Sequence, residues 1–183
     1  RCTAEGLMTR IPIRYEWTLS LDGGKLHWSA RVHNDTEIPL EFIAAWFFLP
    51  NHYNHCIQGN RECTYHAMQP GDMTWSHVAN LEVQPDTLLF HEDDPEKDII
   101  RIILNEVAPQ FGLELNNSDY MMGARIVGLI NRLPTDEALL PAGTHDLFSV
   151  TLDMEQPEAS LEELRLEAQE EHSRIIHEAQ ATQ

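Results

Sequence analysis

Ile13 to Asn34 reads IRYEWTLSLDGGKLHWSARVHN, and this stretch decides the fold. Ile13, Tyr15, Trp17, Leu19 and Leu21 alternate with Arg14, Glu16, Thr18 and Ser20. Leu26, Trp28, Ala30 and Val32 alternate in the same way with His27, Ser29, Arg31 and His33. Successive side chains of extended backbone point to opposite faces, so each run predicts a strand with one face hidden from water. Asp22-Gly23-Gly24 between them supplies positions where positive φ costs little, and the two runs close into an antiparallel hairpin.

Outward from this hairpin the strand grammar continues. Phe42 to Leu49 (FIAAWFFL) is an apolar, aromatic run stopped by Pro50-Asn51, which predicts a strand buried on both faces, with Pro39 at its entry. Thr64 to Met68 and Met73 to Val83 flank Gln69-Pro70-Gly71-Asp72 and predict a second hairpin through a type II turn. Leu88 to Phe90 and Ile99 to Leu104 read as short strands joined by an acidic connection, His91 to Asp98. Glu106 to Leu133 fits either strands or a short helix interrupted by Gly123 and Gly128, and Leu147, Phe148, Val150 and Leu152 mark a closing strand.

The grammar changes at the C-terminus. Ser160 with Glu163 three residues later forms a capping box, and the segment on to Ala181 contains neither Gly nor Pro. Leu161, Leu164, Ala168, Ile175 and Ala179 share one stripe, so the sequence predicts an amphipathic helix that packs on the sandwich or docks on another chain. The division expected is a β-sandwich over residues 1–156 and a helical extension over residues 157–183.

With 183 residues and 42% apolar side chains, the chain is long enough for one sizeable core. Its 30 acidic and 12 basic residues give a net charge of −18, a field that repels phosphate backbones and anionic lipid surfaces. Nucleic acid and membrane are therefore excluded as expected partners, and no apolar window approaches bilayer length.

The strand pair LHWSARVHNDTEIPLEF, from Leu26, and the late LLPAGTHDLFSVTLDM, from Leu139, together resemble the immunoglobulin-like β-sandwich modules of extracytoplasmic proteins. That resemblance implies a binding or assembly role and a periplasmic, secreted or particle-surface location. A similar strand pair occurs in the larger sandwiches of sugar mutarotase-like proteins, for which this chain is short.

Unusual side chains concentrate between His52 and His77. Cys56 and Cys63 enclose IQGNRE, whose Gly59-Asn60 favours a turn that brings the sulfurs together, predicting a disulfide worth about 2 kcal/mol. In the expected second hairpin His66, Met68, Met73, Trp75 and His77 project from one side, and a thioether and imidazole set of His66, Met68, Met73 and His77 suits copper as Cu(I). A zinc set of His52, His55, Cys56 and Cys63 competes for the same region and requires thiolates. The alternative is that Met68, Met73 and Trp75 line the core.

For catalysis the signals are thin. Asp93-Asp94 and Glu162-Glu163 fit solvated surfaces, and neither Ser76 nor Ser149 has nucleophile-elbow glycines. The expected function is thus a non-enzymatic module that binds or assembles with protein partners or its own copies, through the C-terminal helix. Copper binding is one alternative. A carbohydrate-active sandwich, with a His and a carboxylate on one concave face, is the other.

Overall fold

The protein is described by a computed structural model over residues 2–7, 13–41, 44–65, 75–81, 86–94, 96–118, 124–131, 139–153 and 158–181. Strands are numbered in chain order. One antiparallel sheet runs, edge to edge, β1 (Cys2–Leu7), β2 (Ile13–Asp22), β3 (Lys25–Asn34), β14 (Gly143–Asp153), β10 (Ile99–Val107), β9 (Thr87–His91), β6 (His55–Gln58) and β7 (Arg61–Thr64). A second runs β5 (Ala44–Leu49), β12 (Ala124–Asn131), β11 (Phe111–Ser118) and β8 (Trp75–Leu81). β4 (Leu40–Glu41) and β13 (Leu139–Leu140) form a short ribbon.

The two sheets share one apolar core. Val32, Leu88, Phe90, Leu104 and Val150 from the larger sheet belong to the same buried cluster as Leu49, Leu113, Leu115, Val127 and Leu129 from the smaller. Strand alternation produces this directly: the residues that face inward are the apolar members of each period-2 run, and burying them fixes the register. The mostly β sandwich with a C-terminal helix is what the chain forms. The immunoglobulin-like part of that expectation rests on the resemblance alone.

The hairpin that decided the fold pairs Asp22 with Lys25 around Gly23 and Gly24, whose φ values of 52° and 77° suit the tight turn. The ambiguous region after Glu106 forms an antiparallel pair of strands, β11 with β12, rather than a helix. The turn and most of the paired residues of the expected second hairpin, 66–74, lie outside the described residues; of its flanks, β7 pairs with β6 in the larger sheet and β8 with β11 in the smaller.

Helix α1 (Leu161–Ala181) starts where the capping box places it, with Ser160 N–H donating to Glu163 Oε2 at 2.8 Å and Glu163 N–H to Ser160 Oγ at 3.3 Å. Leu164 and Ala168 are buried against Ile57, Leu89 and Ile99 on the outward face of the larger sheet. The helix thus covers the β10–β9–β6 part of that face, while Ala179, on the same stripe, is exposed. No described helix is long and apolar enough to cross a membrane.

Candidate functional site

Of the expected copper ligands only His77 falls among the described residues, and the expected zinc set is divided. His66, Met68 and Met73 lie outside the described residues. His77 is exposed on β8, opposite Asn116 of the smaller sheet. The zinc set is divided by its own strand: His55 points outward and Cys56, the next residue, points into the core. Cys56 and Cys63 face one another across β6 and β7, as the disulfide required, but both are free, buried thiols. Burial, and then the neighbouring Cys63, push the Cys56 thiol well above its ordinary range.

What the structure assembles instead is a cluster on three neighbouring strands. His91 ends β9, His55 begins β6 directly opposite it, and Glu62 on β7 lies diagonal to His55 on the outward face. Glu62 Oε1 is 3.4 Å from His55 Nδ1 and 3.3 Å from His91 Nε2. His91 is almost fully covered, His55 is one-fifth exposed and Glu62 is the open side of the group.

The outer partners fix which ring nitrogens carry protons. His91 Nδ1 lies 2.7 Å from the backbone carbonyl of Glu92, which only accepts, so Nδ1 donates and Nε2 of the neutral ring keeps its lone pair. His55 Nε2 lies 2.9 Å from Asp93 Oδ1 and donates to it, so His55 Nδ1 keeps its lone pair. Both lone pairs and Glu62 Oε1 then meet, with the Thr64 hydroxyl, 3.4 Å from His55 Nδ1, as a neighbouring group that can donate to one of them. Three acceptors at this spacing suit a cation between them.

The supporting shell is well built. The hydrogen bonds from His55, and then from Asn54 at 2.9 Å, hold the Asp93 carboxyl below the usual carboxylate range. Asn54 in turn accepts from Arg125 Nη2 at 2.7 Å. Arg125, buried between the sheets, also donates to Asn117 and to the Tyr53 carbonyl and sits 5.3 Å from the Tyr65 ring centre. On the other side Arg165 of α1 donates to Glu62 Oε2 at 2.8 Å. An imidazole oriented by a carboxylate, another by a backbone carbonyl and a carboxylate held by arginine match the outer shell that metal ligands need.

For metal bonds of about 2.0–2.1 Å, tetrahedral neighbours stand roughly 3.3 Å apart, close to the two distances to Glu62 Oε1. One adjustment is required. The two rings are stacked within 8° of parallel, so one must turn about χ2 for both lone pairs to address a single ion. Two imidazoles and a carboxylate suit a borderline divalent ion such as Zn²⁺ better than the soft Cu(I) expected from methionine. His55 was already in view from the sequence as part of the zinc set. His91 was missed because only the antiparallel pairing of β9 with β6 places it there.

No family model matches this sequence, and no curated protein matches it. Among solved structures the chain is similar to the Slr1438 protein from Synechocystis sp. PCC 6803, with a TM-score of 0.47 and 14% identity. The similarity covers 80% of this chain and 56% of that one, so the chain spans a little over half the length of Slr1438.

Proposed function

We propose that this chain is a non-enzymatic β-sandwich module that binds a divalent transition metal through His55, Glu62 and His91. The observation that supports this reading is the approach of two oriented imidazole nitrogens to within 3.4 Å of one carboxylate oxygen, the three atoms lying within 4.8 Å of one another and each group held from behind by a separate partner. Protein ligands fill three positions, and the exposed side of Glu62 leaves room for a water, a small ligand or a side chain of another protein. The binding and assembly role expected from the sandwich resemblance then has a concrete form, in which a partner supplies the remaining ligand.

Competition against a chromophoric chelator tests it, with Zn²⁺ and with Co²⁺, whose visible absorption reports coordination geometry. One equivalent should bind per chain, and His55→Ala and His91→Ala should each lose at least tenfold in affinity. Binding that survives both substitutions unchanged, or no binding at micromolar metal, rejects the proposal.

A further inference from the structure

The outward face of the larger sheet carries a second feature, away from the metal cluster. Helix α1 covers the β10–β9–β6 part of this face and leaves β2, β3 and β14 open. Register lines their side chains up in rows. Thr18 lies opposite Ser29, Ser29 opposite Ser149, and Ser149 opposite Glu106, so three hydroxyls and a carboxylate run side by side across four strands. The next row is Glu16, Arg31 and Asp146.

An antiparallel sheet commonly presents one polar face to water, and alternation alone accounts for polar residues here. It does not account for the hollow. Short side chains floor a trough of about 700 Å³, walled by the longer Glu16, Arg31, Glu106 and Asp146. Two irregularities of register meet along it, between Leu104 and Glu106 in β10 and between Asp146 and Phe148 in β14. The first leaves the consecutive residues Asn105 and Glu106 both exposed, adding a polar group that regular alternation would have turned inward.

The chemistry of the lining selects a ligand. Arg31 is spent on the wall, 3.0 Å from Asp146 and 3.9 Å from Glu16, and Glu16 also receives His33 at 3.3 Å. Thr18, Ser29, Ser149 and Glu106 make no side-chain hydrogen bond with another described residue. Three hydroxyls that both donate and accept, ending in a carboxylate acceptor, complement a ligand made of hydroxyls. The carboxylates and the net charge of −18 oppose an anion. Val107 and Ala108, both half-buried, at one side offer apolar surface to ring C–H groups. Four strands span about 14 Å, the length of a short oligosaccharide.

We propose that this trough binds a neutral di- or trisaccharide along the row Thr18, Ser29, Ser149 and Glu106. The two ends of the sheet face then serve separate ligands, a metal beside α1 and a saccharide on the open strands.

The test is amide NMR titration of the intact chain with maltotriose, cellotriose, mannotriose and chitotriose, in the presence of a chelator so that the metal cluster plays no part. At least one sugar should shift the amides of Ser29, Ser149 and Glu106, with a dissociation constant on the order of 1 mM or tighter. Ser149→Ala and Glu106→Gln alter exposed or half-exposed positions outside the core, and each should weaken binding by about 3- to 10-fold with the rest of the spectrum preserved. Absence of shifts with all four sugars overturns the proposal, as do shifts confined to other strands or variants that bind as tightly as the parent chain.

Discussion

His55 and His91 stack with ring centres 4.7 Å apart and planes 8° from parallel, yet they hold opposite tautomers when neutral. The proton of His55 sits on Nε2, toward Asp93, and that of His91 on Nδ1, toward the Glu92 carbonyl. Two rings side by side thereby aim different nitrogens at one carboxylate oxygen of Glu62.

If Asp93 orients His55, removing it weakens a site it does not touch. Asp93→Ala should reduce Zn²⁺ affinity by about 10- to 100-fold while leaving the fold intact, because Asp93 lies on the exposed surface. Affinity should also fall as pH is lowered, since protons compete for the same imidazole lone pairs. Competition titrations at several pH values check both, and an Asp93→Ala variant with parental affinity denies the carboxylate its orienting role.

Gly59 closes the β6–β7 turn at φ 57° beneath the helix, and a Cβ there would lie 2.6 Å from Cγ and 3.0 Å from Cβ of His172. Gly23 has nearly the same φ, 52°, with nothing near its missing side chain. Gly23→Ala therefore measures left-handed strain alone, about 1–2 kcal/mol. Gly59→Ala should cost about 1–3 kcal/mol more by pushing α1 off the sheet. Urea unfolding of both variants decides it, and equal losses would mean that the helix yields freely.

Asp86 is buried beside His172, with 2.6 Å between Oδ2 and Nδ1. Burial raises its carboxyl above the usual range in spite of hydrogen bonds from His172 and from the Thr87 backbone. A raised value means the folded state holds this proton more tightly than the unfolded chain, so the contribution is largest in acid and is lost as pH rises through the folded value. The stability of the parent chain relative to Asp86→Asn should accordingly decline from acid toward neutral pH. Denaturation at stepped pH measures that difference, and a rise with pH would contradict the assignment.

The Cys56 thiol is fully buried and shifted upward, which leaves almost no thiolate to react at neutral pH. Iodoacetamide should leave Cys56 unmodified in the native chain and label it after denaturation, as read by peptide mass spectrometry. Rapid native labelling would show that the β6–β7 hairpin opens readily.

Much of the architecture is legible in local patterns. Period-2 alternation marks β2 and β3, a Gly-Gly turn joins them, and Ser160 with Glu163 marks the first turn of α1. The zinc set failed because it drew on the adjacent residues His55 and Cys56, which a strand sends to opposite faces.

From its residues alone this protein is bound to extended segments with one apolar side and to a capped terminal helix, because those properties depend on neighbours a few positions away. Which strands lie side by side is decided only when the sheets close over a common core. His55 meets His91 through the pairing of β6 with β9, and Thr18 comes into line with Ser149 across β3. Both sites are products of register, which is set by the burial of the opposite face and not by the ligating residues themselves.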